Sequence, residues 1–298
     1  MSINAADLRG RPGFGWVAPA GVFFSIFGVI PILMVIYLSF TKWNGIGSPQ
    51  WIGGANWTHL TTDPNLVESI KNSIYLTIGT WFVQTPLSML LGVWAAGPQR
   101  FRAILSTIFF LPLLLSTAAI ALVFVCLLDP NFGLAGSLGK YVGVPDGNFL
   151  GDPHRALITV ILVIAWQFVP FHTLLYQAAT RQIPGELLEA AAIDGAGTVR
   201  QFFSIIIPQL RNTIIGSSVL MLVGSVTAFE TVLLLTDGGP GTSTRVLPLQ
   251  MYDQGFDAFN MGYASALAVL LVVVGTVLSI IVVRVSGYHR MASQREGL

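Results

Sequence analysis

Ala156–Ala179 reads ALITVILVIAWQFVPFHTLLYQAA and contains no Asp, Glu, Lys or Arg. A helix needs about 20 mostly apolar residues to cross the hydrocarbon core of a bilayer, and this run exceeds that. Five further runs have the same character, near Val17–Phe40, Ser73–Ala96, Ala103–Leu128, Thr213–Thr236 and Tyr263–Val283, and none holds an internal Lys or Arg. A membrane barrel would show short alternating segments instead, so the runs predict helices. The expected fold class is all-α, a polytopic membrane protein with six transmembrane helices.

Composition leads to the same place. Of 298 residues, 53% are hydrophobic and only 10% charged, and the mean hydropathy is +0.72. A soluble domain carries about a quarter of its residues as charges. The net charge of +1 offers no basic face for nucleic acid. Cys126 is the single cysteine, which excludes an intramolecular disulfide. The first run follows Arg9 and Arg11, but it is longer than a signal-peptide core and no small-residue cleavage site follows, so it is expected to stay as an anchor. Pro31, Pro86, Pro112 and Pro170 lie inside runs, where kinks are the expectation.

Positive residues set the orientation. With the N-terminus inside, ten of the 15 Lys and Arg, including Arg100, Arg181, Arg211 and Arg284, fall on the cytoplasmic side and five on the other. Both termini are then cytoplasmic, and Thr41–Asn72, Asp129–Arg155 and Asp237–Gly262 face outward.

One inner connection, residues 180–211, is long and has helix-forming composition. It contains Ile183-Pro184-Gly185-Glu186-Leu187-Leu188-Glu189-Ala190-Ala191-Ala192-Ile193-Asp194-Gly195-Ala196-Gly197. Pro184 suits a helix start, Glu186 and Glu189 suit its positive end, and Gly195 and Gly197 suit a stop. Thr198 is placed to cap a second helix carrying Phe202, Phe203 and Ile205–Ile207 toward Pro208.

Glu189-Ala190-Ala191, Asp194-Gly195-Ala196, Phe202, Ile205, Pro208 and Leu210 stand at the spacing of the EAA signature, and the chain resembles the binding-protein-dependent ABC import permeases. Ile207 stands where the signature usually has Leu. Leu235-Thr236-Asp237-Gly238-Gly239-Pro240, Gly262-Tyr263-Ala264-Ser265-Ala266 and Asn56-Trp57 look like the maltose-type and glycerol-phosphate-type sugar permeases. The resemblance implies a MetI-like type I ABC importer permease architecture. Residues 1–298 would be one transmembrane permease domain in the bacterial cell membrane, with 180–211 as its cytoplasmic coupling loop. It also implies partners: a second permease subunit, two ATP-binding subunits, an extracytoplasmic solute-binding protein, a sugar and the lipid bilayer. ATP and Mg would sit on the ATPase, because this chain has no Gly-x-x-x-x-Gly-Lys-Ser/Thr loop. No cofactor, catalytic group or metal site is expected in the chain itself; His59, His154, His172 and His289 lack metal-ligand spacing.

The substrate path should use the few polar groups within the runs, since these are costly in lipid. Trp166, Gln167 and His172 are such groups; Gln167 and Phe171 share a helical face, with Phe168 and His172 beside it. Met221, Ser225 and Phe229 recur at the same interval, and Glu230 is the only acid well inside a run. Amides and hydroxyls alternating with rings suit sugars, and the resemblance puts sugar contacts just after Trp166 and along the Ser225 stripe. Each residue also serves as ordinary helix packing, and the sequence leaves the two roles open. A secondary transporter would show repeated halves with broken helices, and a channel a ring of charges or carbonyls. A glycerol-phosphate substrate would call for Lys or Arg near the cavity, which the fourth and fifth runs lack, so a neutral di- or oligosaccharide is favoured.

Overall fold

The computed structural model describes residues 14–97 and 99–285. Its helices in chain order are α1 (Phe14–Phe24), α2 (Ile30–Leu38), α3 (Ala55–Thr62), α4 (Pro64–Ala95), α5 (Arg100–Phe109), α6 (Leu111–Leu114), α7 (Thr117–Leu127), α8 (Leu134–Leu138), α9 (Pro153–Thr180), α10 (Gly185–Ile193), α11 (Thr198–Gln201), α12 (Ile207–Gln209), α13 (Arg211–Val226), α14 (Glu230–Thr236), α15 (Leu247–Tyr252) and α16 (Met261–Val285). Two short antiparallel strands, Thr41–Lys42 and Gln50–Trp51, form a hairpin after α2. Arg9, Arg11, His289, Arg290 and Arg295 lie outside the described residues.

Among the described residues, four helical stretches are long and apolar enough to cross a membrane: Val17–Leu38, where a π-helical turn joins α1 to α2, then α4, α9 and α16 as far as Arg284. They match four of the six expected spans. α4 starts at Pro64 rather than Ser73. Asp63 caps it, its carboxylate accepting the Asn65 N–H at 2.9 Å, and Pro64 fills the first turn, where a missing N–H costs nothing. Glu68 and Lys71 gave those opening turns the polarity of a loop.

The helices over the other two expected spans are interrupted. In the third, Pro112 opens the short α6 and Leu115 is extended at φ −86° and ψ 148°. Ser116 then caps α7, its hydroxyl accepting the Ala119 N–H at 3.2 Å. In the fifth, α13 ends at Val226 and α14 begins only at Glu230. The stretch Thr198–Gln209 also meets α13 at 71°, and joining that pair raises the number of candidate spans to five.

The chain divides into two compact units, the residues up to Thr62 with Met251–Val269, and Asp63–Gln250 with the residues from Leu270. In the first, Asn56 fastens α3 to the end of α2 by donating to the carbonyls of Ser39 and Thr41, both at 2.9 Å. Gly262 comes so near that a Cβ would collide with the Thr41 carbonyl, and its N–H donates to the Trp43 carbonyl at 3.2 Å.

In the second unit α4 packs along α9, and α13 packs against α4. An apolar core joins Leu76 of α4, Ile120 of α7, Val160 and Ile164 of α9, and Val232 and Leu235 of α14. Beside it runs a polar stripe, because Thr77, Thr80, Gln84 and Ser88 recur at helical spacing on α4 and are all buried. The stripe's neighbourhood is the seam with α13. The Thr80 and Ser225 hydroxyls bond at 2.6 Å, Trp81 Nε1 donates to the Ser218 hydroxyl at 2.9 Å, and the Thr85 hydroxyl donates to Met221 Sδ at 3.3 Å. In lipid, apolar burial gives no preference for helix over acyl chain, so such bonds and close packing decide which helices pair. In the N-terminal third of α4, Asn72 donates to the carbonyls of Thr242 and Arg245 at 2.8 and 3.0 Å, and the Ser73 hydroxyl accepts the Leu247 N–H at 2.8 Å. These hold the segment after α14 against α4.

Candidate functional site

The connection 180–211 folds as a helix, a glycine stop and a second helical stretch. Pro184 stands at the N-cap of α10 and Glu186 lies in its first turn. At the other end the Gly195 N–H bonds the Ala192 carbonyl at 3.0 Å and the Ala196 N–H bonds the Ala191 carbonyl at 2.8 Å. This pair of bonds is a Schellman stop, and it requires a left-handed residue at Gly195, which has φ +79°. The spacing from Glu189 through Ala190 and Ala191 to Asp194, Gly195 and Ala196 is therefore that of one helix and its terminator. Thr198 does not cap the second stretch; Gly197 occupies the cap and Thr198 is the first helical residue. The link between the two arms is Gln201, whose Nε2 donates to the Ala196 carbonyl at 2.9 Å.

This loop has a fixed side and an open side. Leu188, Phe202, Ile206 and Leu210 gather around Tyr176 near the end of α9. Glu189, Ala190, Asp194, Gly195 and Pro208 are exposed. So are four large apolar side chains, Leu187 at 43%, Ile193 at 87%, Val199 at 71% and Phe203 at 63%.

The second feature is a cavity of about 640 Å³ walled by α4, α6, α7, α9, α13 and α14, within the roughly 300–1,000 Å³ range of small-molecule sites. The break between α13 and α14 forms much of its wall, since Gly224, Ser225, Thr227, Ala228, Phe229, Glu230 and Thr231 all line it. From α9 come Ile164, Phe168, Phe171 and His172. Of the nine residues expected along a substrate path, Phe168, Phe171, His172, Met221, Ser225, Phe229 and Glu230 share this cavity. Trp166 and Gln167 are not in its wall. The Trp166 ring packs edge-on against Phe124 at 5.3 Å, and Gln167, 4% exposed, donates from Nε2 to the Thr117 hydroxyl at 3.0 Å. Sequence reasoning passed over Gln84, Thr117, Leu220, Gly224 and Thr227, which also line it. Gln84 carried a signal, as the one amide of the second apolar run.

Most polar groups here already hold the walls together. Ser225 bonds Thr80, His172 Nδ1 and the Ser217 hydroxyl lie 2.9 Å apart, and the Thr227 hydroxyl donates back to the carbonyls of Val223 and Gly224, each at 3.1 Å. Their remaining lone pairs stay available to a guest. Glu230 is exposed at the start of α14 and is the only charged residue of the wall among the described residues.

A bundle of membrane-crossing helices that encloses a cavity and carries an ordered, exposed loop between two of them is the build of a membrane transport subunit. Residues 88–287 match the family described as "Binding-protein-dependent transport system inner membrane component", and the chain belongs to that family. It is 33% identical over 271 residues to the probable ABC transporter permease protein YurN of Bacillus subtilis, covering 89% of this chain and 92% of that protein. The multiple sugar-binding transport system permease protein MsmF of Streptococcus mutans is 29% identical over 264 residues, covering 88% and 90%. In a crystal structure of a bacterial ABC transporter involved in import of the acidic polysaccharide alginate, one chain superposes with TM-score 0.81 and 23% identity, covering 94% of this chain and 96% of that one. The two share a fold. The chain is thus a permease subunit of an ABC transporter, with ATP hydrolysis assigned to a separate subunit.

Proposed function

We propose that this chain forms half of the pathway by which an ATP-driven importer takes up a carbohydrate, a neutral di- or oligosaccharide delivered by an extracytoplasmic solute-binding protein. The observation that carries the reading is the cavity, where the rings of Phe168, Phe171 and Phe229 stand beside the carboxylate of Glu230 and the hydroxyls of Ser225 and Thr227. Rings stack on the apolar faces of sugars while carboxylate and hydroxyl groups bond their edges. Among the described residues the wall contains no Lys or Arg, which speaks against a glycerol-phosphate-type substrate. The sugar-binding system of the Streptococcus relative supports the same class.

The exposed face of α10 is the coupling surface. It docks on one of two ATP-binding subunits, with Ala190 and Ala191 permitting close approach and Glu189 and Asp194 pairing with basic groups at the rim. The rest of the assembly is a second permease subunit. The chain crosses the membrane six times with both termini cytoplasmic, the third crossing made by α5–α7 and the fifth by α13 with α14.

Gly224→Trp tests the cavity. Gly224 lines it and a Cβ there meets nothing within 4 Å, so the first atom of a larger side chain has room and the indole adds bulk at the cavity wall. In proteoliposomes holding the whole importer, sugar uptake should fall more than tenfold while complex yield and basal ATP hydrolysis persist. Unchanged uptake at normal yield would remove the cavity from the path.

A further inference from the structure

We infer that Glu230 makes this cavity charge-selective, admitting neutral and amine-bearing sugars and turning away phosphorylated sugars and uronates. The inference rests on reading the cavity as the substrate path, and it adds a rule about substrate class that the path alone does not contain. Three observations carry it.

The first is position. An acid in the middle of an unbroken membrane helix would have to face lipid or a neighbouring helix. Here α13 stops at Val226 and the chain turns through Thr227–Phe229, so Glu230 starts a new helix with its side chain exposed on the cavity. The second is solitude. Among the described residues no salt bridge engages Glu230, and the pair Arg155–Asp146, at 3.2 Å, lies away from this wall. The third is the surrounding medium. Apolar residues make up more than half of the lining, Leu113, Ile164, Phe168, Phe171, Leu220 and Phe229 among them, and several of the polar ones are already bonded to the walls, so the site screens a charge less than water does. A lone carboxylate between low-dielectric walls projects its field across the passage and concentrates one sign of solute over the other. A neutral sugar offers hydroxyls that the carboxylate accepts, an ammonium group gains an ion pair, and a phosphate or uronate meets repulsion.

The probe is a pair of thiol reagents of similar size and opposite charge, a trimethylammonium-ethyl and a sulfonatoethyl methanethiosulfonate. The single native thiol is removed as Cys126→Ser, and Gly224→Cys places a new one in the open cavity. The assembled importer in detergent is labelled with each reagent, and the rates are divided by those for glutathione. With Glu230 present the cation should react about tenfold faster than the anion after this correction. Glu230→Gln should bring the ratio within about twofold of unity, Glu230→Asp should keep it, and Glu230→Lys should invert it. Raising the salt from tens to hundreds of millimolar should shrink the ratio in the Glu230 protein, a measurement that needs no substitution at that position. A ratio near unity with Glu230 in place, or one that survives Glu230→Gln, overturns charge selectivity. Failure of the path reading shows differently, as a strong charge ratio in a protein whose sugar uptake ignores Gly224→Trp.

Discussion

Gly92→Val should nearly abolish recovery of the assembled protein. A Cβ at Gly92 would stand 2.6 Å from Tyr176 Cβ, 2.9 Å from the Thr173 carbonyl oxygen and 3.0 Å from the Gln177 backbone nitrogen. Two of these three are main-chain atoms of α9, so the only relief is for α9 to move away from α4. Overpacking costs about 1–3 kcal/mol where side chains can yield, and here the backbone must yield, which places the cost at or above the upper end. The displaced helix also carries Tyr176, fully buried beneath the loop, and Gln177, whose Nε2 donates to the Ala95 carbonyl at 2.9 Å. Yield of detergent-purified complex should drop more than tenfold. Gly79→Ala on the same helix is the control. Its Cβ would meet Ile161 Cδ1 at 2.6 Å, the mobile end of a side chain, and the helix gains about 1 kcal/mol from replacing glycine. That variant should accumulate normally. Equal yields for both substitutions would show that α4 and α9 are not held by this close approach.

Gly195→Val should leave the protein assembled and silence transport. At φ +79° the position favours glycine, yet a Cβ there meets no atom within 4 Å, so the penalty is conformational alone. Left-handed backbone costs an ordinary L-residue roughly 1–2 kcal/mol and a β-branched one more. A chain that avoids the cost must give up the stop at Ala191 and Ala192 and re-aim the exposed end of α10. The buried side of the loop, at Leu188, Phe202 and Ile206, keeps its contacts with Tyr176. Uptake and substrate-stimulated ATP hydrolysis should fall more than tenfold with yield unchanged. Asn tolerates left-handed backbone, so Gly195→Asn should stay within about threefold of the parent. Loss of coupling in both variants to the same degree would place the requirement elsewhere than in the backbone bend.

The two glycines differ in how far sequence alone reveals them. Gly195 was legible because a helix stop is local: residues 190–196 contain every donor and acceptor it uses. Gly92 was not, since its role depends on Tyr176 and Gln177 of a distant helix. The apolar runs located the crossings for a similar reason, as hydropathy sums over neighbours in the chain. It cannot register a break in hydrogen bonding, so the interruptions inside Ala103–Leu128 and Thr213–Thr236 do not show in it. The third break had visible causes in Pro112 and in Ser116 ahead of α7. The fifth has neither proline nor glycine between Val226 and Glu230, although Thr227 and Glu230 stand at the spacing of a helix start. Within the site, periodicity correctly put Phe168 and Phe171 near His172, and it also put Gln167 with Phe171. The structure separates that last pair, because Gln167 is drawn to Thr117 of α7. A helical wheel states which residues are neighbours, and only the packed helices decide which of them face a void.

The polar stripe of α4 has a consequence for the birth of the chain. Of the four continuous crossings α4 is the least apolar and α16 the most. Thr77, Thr80, Gln84 and Ser88 are satisfactory neighbours for α9 and α13 and poor ones for acyl chains. At about 5–20 residues per second, the ribosome completes α13 on the order of ten seconds after α4. Until α9 emerges α4 has neither partner for its stripe, and until α13 follows the hydroxyl of Thr80 lacks Ser225. The dwell of α4 beside the insertion machinery should therefore be long, and substitutions that make the stripe apolar should speed its release into lipid while weakening the later docking of α13.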